Sequence, residues 1–299
     1  MTPARWRLLE GAILAAVGAG CLAFQLWLPT THVEEADYAR VAQWLEGEAQ
    51  PGDVVLLAPW WTERARAFVP ARVPVVGYQG SDADDLELAP RVWVLAEPDL
   101  PRAGMDRFWA AFRPGRTELG AARRSGRLSL QLFDNGRFRP LAFSSEDLAA
   151  AQVYLEQPDG TRAPCAWDGR AHRCPENRAV ALEWHEVRFR PLHCLRLDPP
   201  GGATRLVVEF PRRGAAASIR VLAGYPGEVA SRSADVTDST VGLEVDGVLT
   251  PLAVPRGVER LHQVERGASP AGAAVRVWVQ SANPLARQLC VVVEAFAAR

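Results

Sequence analysis

Three features predict an α+β protein of several parts. The N-terminal stretch is apolar. The next hundred residues alternate short apolar runs with helical patterns. In the second half, apolar residues recur at every second position. This divides the 299 residues into a tail at 1–7, an apolar helix at 8–28, a small parallel α/β domain at 33–138 and an antiparallel β-sandwich of jelly-roll type at 139–299.

The stretch LLEGAILAAVGAGCLAFQLWL, Leu8–Leu28, carries no charge from Gly11 onward, and only Gln25 is strongly polar. A helix of this length crosses a hydrocarbon core of ~30 Å, which makes the membrane the first expected partner. Arg5 and Arg7 precede it, and Glu34, Glu35 and Asp37 follow. The positive-inside bias then predicts a single-pass protein of the bacterial inner membrane. Its N-terminus is cytoplasmic and residues 30–299 are periplasmic. A cleaved signal peptide ranks second, because Pro29–Val33 offers no small-x-small site. A lipoprotein site at Cys21 ranks third, because Gly18 stands where leucine is usual.

In the α/β region, Tyr38, Val41, Ala42 and Leu45 recur at helical spacing over Ala36–Ala49. Pro51-Gly52-Asp53 is a turn, and Val54–Ala58 reads as a strand covered on both faces. Thr62 is a candidate N-cap for a helix through Phe68. Val73–Gly77 is a second strand, Ser81–Asp84 a capping box, Arg91–Ala96 a third strand, Met105–Phe112 a helix and Leu128–Phe133 a closing strand. In a parallel sheet of this kind, ligands sit beyond the C-terminal strand ends. That rule selects Trp60, Trp61 and Glu97 as candidate ligand-binding residues, the indoles being able to stack on a sugar. The loop after the first strand lacks G-x-G-x-x-G and G-x-x-x-x-G-K, so no nucleotide site is expected.

Beyond residue 139 the expected strands are Ala151–Glu156, Val187–Phe189, Leu195–Leu197, Arg205–Phe210, Ile219–Leu222, Gly242–Val245, Ala274–Val279 and Gln288–Glu294. Asp246-Gly247 is a hairpin turn. Four cysteines lie past the apolar helix. In an oxidising compartment they pair as Cys165–Cys174 and Cys194–Cys290, the second tying an early strand to the last. A weaker alternative assigns Cys165, His172, Cys174 and His185 to a metal, although their spacing matches no zinc-finger pattern. Glu183, His185 and Glu186 cluster as E-W-H-E and could supply a general acid or base. No G-x-S-x-G or H-E-x-x-H occurs. No catalytic residue and no cofactor is therefore assigned. All basic residues are Arg, the net charge is −1 and no basic stripe appears, which argues against a nucleic-acid partner.

Two sets of motifs carry a resemblance. A-x-W-L…P-G-D-V-V-L…P-W-W-x-x-R-A-R…R-V-W-V-L, at Ala42–Leu95, resembles the extracytoplasmic α/β module of bacterial polytopic glycosyltransferases related to protein mannosyltransferases. W-H-E-V…C-L-R-L-D-P-P-G-G…V-D-G…S-A-N-P…C, at Trp184–Cys290, resembles the galactose-binding-like β-sandwich that can close such proteins. That family's catalytic acids lie in a many-helix membrane domain that has no counterpart here, so its transferase activity is not carried over. The resemblance implies an accessory or binding protein for envelope glycans or glycolipids, more binding protein than enzyme. The alternatives are a structural subunit docked on a polytopic glycosyltransferase, and a hydrolase or transferase with an unrecognised site.

Overall fold

The computed structural model of the chain describes residues 3–27, 33–59, 62–77, 86–98, 105–188, 190–213, 216–230, 238–258, 260–268, 273–282 and 288–298. It contains two compact units. The first comprises Met1–Tyr78 and Arg91–Asp134, and the second Gln79–Pro90 and Asn135–Arg299.

Helix α1 (Pro3–Trp27) begins the first unit. Its side chains from Gly11 to Trp27 are all exposed, Cys21 among them. Among the described residues, no helix is long and apolar enough to cross a membrane. The anchor expected over residues 8–28 is corrected accordingly: the helix forms, but a membrane span is not supported.

The first unit continues with α2 (Glu35–Glu48), β1 (Val54–Ala58), a 3-10 helix at Glu63–Ala67, β2 (Val75–Gly77), β3 (Arg91–Ala96), α3 (Met105–Phe112), β4 (Arg116–Glu118), β5 (Arg123–Ser125) and β6 (Leu128–Asn135). Strand β1 is parallel to both β2 and β3, whereas β6 runs antiparallel to β3. The all-parallel expectation is thus corrected to a mixed sheet. The chain after α3 returns through β4 and β5 instead of completing a crossover. Residues of β1 and β3 alternate between two covered faces. Val55, Leu57, Trp93 and Leu95 pack with Tyr38, Val41 and Leu45 of α2. On the other side Phe133, paired with Val92, meets Phe112 of α3 with ring centroids 5.0 Å apart. Thr62 makes no cap; its hydroxyl donates to the Pro59 carbonyl at 2.7 Å. The capping box at 81–84 lies outside the described residues.

Asp53 fixes the entry to β1. Its carboxylate is buried and accepts from Arg91 Nε at 2.9 Å, Arg91 Nη2 at 2.6 Å, Trp93 Nε1 at 2.9 Å and the Gln50 N–H at 3.0 Å. Burial alone would raise its pKa. The hydrogen bonds from Arg91, Gln50 and Trp93 outweigh that and hold the carboxyl below its ordinary value.

The second unit is an antiparallel β-sandwich. Its elements are β7 (Leu141–Ser144), a 3-10 helix at Ser145–Ala150, β8 (Gln152–Glu156), β9 (Arg162–Pro164), β10 (Ala166–Trp167), β11 (Ala171–Cys174), β12 (Arg178–Val187) and β13 (Arg190–Leu197). There follow β14 (Arg205–Arg213), β15 (Ala216–Gly224), α4 (Gly227–Ala230), β16 (Ser239–Val245), β17 (Val248–Val254), β18 (His262–Gly267), β19 (Ala273–Ser281) and β20 (Leu289–Ala297). One sheet runs β10-β11-β12-β13-β20-β15-β18, with β7 also beside β20; the other runs β17-β16-β19-β14-β8-β9. From β13 to β16, and again from β18 to β20, the chain changes sheet at each connection, as it does in a jelly roll. Val180, Leu195, Leu197, Val221, Val291 and Val293 of the first sheet face Val153, Leu155, Leu206, Val208, Val277 and Val279 of the second.

The strand expected at Val187–Phe189 is corrected at Arg188, and Phe189 lies outside the described residues. Val187 ends β12, and Arg188, with φ of 50°, turns the chain into β13. Asp246 and Gly247 do form the hairpin turn, with φ of 51° and 81°. Strands β17 and β18 escaped the sequence reading because their faces alternate weakly and one side of each remains wet.

Both expected disulfides are present, Cys165–Cys174 and Cys194–Cys290, with sequence separations of 9 and 96 residues. The longer one removes more chain entropy from the unfolded state. Cys194→Ala should therefore cost the second unit about 2–5 kcal/mol, and Cys165→Ala less. Thermal unfolding of the two variants checks this, and an equal loss in both would contradict it. Asp53 supplies a second expectation. A depressed folded pKa stabilises fully above the unfolded value, and the gain is lost as pH falls through the folded value. Asp53→Asn should cost about 3 kcal/mol at pH ~7, with a smaller gap from wild type near pH 3. Urea unfolding at both pH values reads it; a gap that does not narrow in acid would refute the linkage.

Candidate functional site

Strands β12 and β13 pair in unbroken register from Val180↔Leu197 to Val187↔Arg190. Side chains alternate between the two faces of such a hairpin. On the inner face the successive pairs are Val180/Leu197, Leu182/Leu195, Trp184/His193 and Glu186/Pro191. The first two pack into the sandwich core. The last two stand in the open: Trp184 is 70% exposed, and Glu186 and Pro191 are exposed as well. The hairpin therefore outruns the core, and its inner face changes from aliphatic to aromatic and polar at that point.

The Trp184 and His193 rings stack, with centroids 4.8 Å apart and planes 15° from parallel. Cross-strand partners on one face lie about 5 Å apart, which is the spacing that ring stacking needs. Glu146, on the 3-10 helix at Ser145–Ala150, sets its Oε1 3.4 Å from His193 Nδ1. The start of that helix is held by Ser144 Oγ, which accepts the Glu146 N–H at 3.4 Å. The result is a flat aromatic platform, open on one side, edged by the carboxylates Glu146 and Glu186.

The opposite face of the hairpin is different in kind. Glu183 accepts from Arg196 Nη1 at 3.0 and 3.2 Å, and His185 Nε2 lies 3.5 Å from Glu183. The E-W-H-E cluster is thus divided by the sheet. Glu183 and His185 lie on one side, Trp184 and Glu186 on the other, so the three polar members do not converge on one reacting atom.

The metal alternative is corrected on similar grounds. Cys165 and Cys174 are bonded to each other. His172 pairs with Val180 on the inner face and sets Nε2 3.1 Å from the Leu148 carbonyl, whereas His185 is on the outer face. Among the described residues, no three His, Cys, Asp or Glu side chains gather as a metal set.

In the first unit, Trp60 and Trp61 lie outside the described residues. Glu97 sits where the C-terminal ends of β1 and β3 meet, its N–H donating to Ala58 O at 3.0 Å. Tyr38 on α2 is raised by burial, and the charge of Glu97 adds to the effect. An open groove along α3 is lined by Asp106, Trp109, Ala110, Arg113 and Pro114, with the Arg113 guanidinium 5.0 Å from the Trp109 ring centre.

In the sequence Trp184 stands only inside the E-W-H-E and W-H-E-V motifs, and His193 belongs to no motif. The signal was nevertheless present. Stepping by two from Val180 gives Val, Leu, Trp, Glu, a break in polarity with no break in strand pattern.

No protein-family model matches the sequence, and no curated protein matches it. Several solved structures are similar over part of the chain. A CBM35 from Cellvibrio japonicus Abf62 has 12% identity and a TM-score of 0.27, covering 49% of this chain and 94% of that one. CBM51-2 and INT domains of Clostridium perfringens ZmpB, solved in complex with GlcNAc, have 11% identity and a TM-score of 0.26, covering 49% of this chain and 25% of that one. The CBM22-1–GH10 modules of Clostridium thermocellum xylanase 10B, complexed with xylohexaose, have 7% identity and a TM-score of 0.25, covering 51% of this chain and 27% of that one. The chain thus spans about a quarter of the ZmpB and xylanase structures. Likeness at this level assigns no family.

An aromatic side chain that serves binding is dispensable for folding. Trp184→Ala should change unfolding free energy by less than about 0.5 kcal/mol, whereas Val180→Ala, at the buried end of the same face, should cost about 1–3 kcal/mol. Urea titrations of the two variants compare them; an equal loss in both would make Trp184 a packing residue.

Proposed function

We propose that this chain is a glycan-binding protein and that a sugar ring docks on the Trp184–His193 platform. The observation that carries the reading is the 70% exposure of a tryptophan held flat by a stacked partner. A pyranose offers a face of C–H groups and a rim of hydroxyls. The indole takes the face, and the carboxylates of Glu146 and Glu186 accept from the rim. Covering roughly 100 Å² of apolar surface contributes about 2.5 kcal/mol, enough for weak, reversible attachment by one platform. Two disulfides fit a protein of an oxidising compartment such as the bacterial periplasm, where the ligands within reach are envelope glycans and glycolipids. This role requires no catalytic residue and no cofactor.

The full chain, applied to an array of bacterial envelope glycans, should be retained by at least one. Trp184→Ala should weaken that binding by about tenfold or more, or ~1.4 kcal/mol. Retention by no glycan, or unchanged affinity in Trp184→Ala, would overturn the reading.

A further inference from the structure

The charges around the platform point to the kind of sugar it takes. We infer that the platform selects glycans bearing free amines, that is, amino sugars in their deacetylated, cationic form. The inference rests on the platform being a glycan site, and it adds the ligand's charge.

The hairpin sorts its charges by face. Arg190 and Arg196 alternate with His193 along β13 and so belong to the outer face, where Arg196 is held by Glu183. On the inner face, beyond the core, the charged side chain of the hairpin's described residues is Glu186 of β12, and Glu146 of the 3-10 helix at Ser145–Ala150 reaches His193 there. Glu146 engages His193. Among the described residues Glu186 has no ion-pair partner, although arginines are plentiful elsewhere on the chain. Arg188, at the hairpin turn, is the nearest basic residue in sequence, and its φ of 50° carries the chain out of the strand before β13 begins.

Trp184 adds to this selection. The face of an indole attracts a cation, and its stacked partner His193 leaves the other side of the ring open. An ammonium on a sugar lying over Trp184 gains from the ring and from the carboxylate of Glu186, one pleat further along the same face. Acetylation of the amine removes both gains and leaves only the stacking. A uronate carries its charge toward two carboxylates and is repelled. The platform therefore ranks amine-bearing sugars first, neutral sugars second and acidic sugars last.

The test uses the full chain and three sets of short oligomers: β-1,4-linked glucosamine, its N-acetylated counterpart, and galacturonate. Affinity is read by calorimetry near pH 6, in about 0.02 M and about 0.3 M salt. The expected result is binding of the glucosamine oligomer about tenfold or more tighter than its acetylated form, with the ratio shrinking in high salt. Glu186→Gln should cut the preference to a few-fold, because the carboxylate's share of the ammonium's gain is lost and only the ring's remains. Trp184→Phe, which keeps a ring, should keep the preference. Equal affinity for the two glucosamine forms, or tighter binding of galacturonate, would overturn the inference while leaving the glycan reading intact. Binding of none of these oligomers, together with retention by no glycan on the array, would overturn both.

Discussion

The structure of the second unit depends on one strand that is buried on both faces. Along β20, Val291, Val293 and Ala295 point into the sandwich core, while Cys290, Val292, Glu294 and Phe296 point the other way and are equally buried. A strand in that position leaves no polar atom to water, so every group must find a partner inside. The backbone is satisfied by β13 and β7 on one side and β15 on the other. Cys290 closes on Cys194. Glu294 accepts from Arg220 at 2.8 Å, and Arg220 also donates to Glu87 at 3.1 Å.

The same constraint locates the candidate site. A β-hairpin whose inner face lies over a core must be apolar there, and Val180, Leu182, Leu195 and Leu197 are. Once the hairpin runs past the opposing sheet, the requirement lapses and the face is free to carry other chemistry. Trp184 and His193 occupy the first register position beyond the core. They keep the strict geometry of the sheet, which orients the rings, without the burial that usually accompanies it. A binding platform on a strand is positioned more rigidly than one on a loop.

Much of the fold was legible because periodicity is a direct trace of burial. The runs Val54–Ala58 and Arg91–Ala96 read as strands, the first covered on two faces, and both are strands in the structure. The cysteine pairs could be chosen because one pair brackets a short loop and the other joins an early strand to the last. What escaped is what periodicity does not encode. Strand direction in the first unit depends on the route back from α3, which local pattern does not state. The apolar helix at the N-terminus read as a membrane span from hydropathy alone, and among the described residues no helix is long and apolar enough to cross a membrane. The site was half visible: E-W-H-E marked the right strand, but the division of its residues between two faces emerges only once the pairing with β13 is known. His193 becomes meaningful only through that pairing.

The absence of lysine gives the sandwich a further property. Arginine can serve two carboxylates and a ring at once because its guanidinium is planar and carries five donors. On the outer face of the second sheet Arg276 binds Glu244 at 2.9 Å, meets the Tyr154 hydroxyl at 3.2 Å and pairs with Glu156; Tyr154 in turn donates to Glu209 at 3.0 Å. On the first sheet Arg139 and Arg220 lie 3.7 and 4.8 Å from the Phe296 ring centre while pairing with Glu87. In both places acids and bases are matched and the faces are closed to new charge. The hairpin end departs from this pattern, because its arginines face away and a carboxylate stands beside an uncovered indole. At that end of the hairpin a cationic partner held in solution can supply what the chain does not.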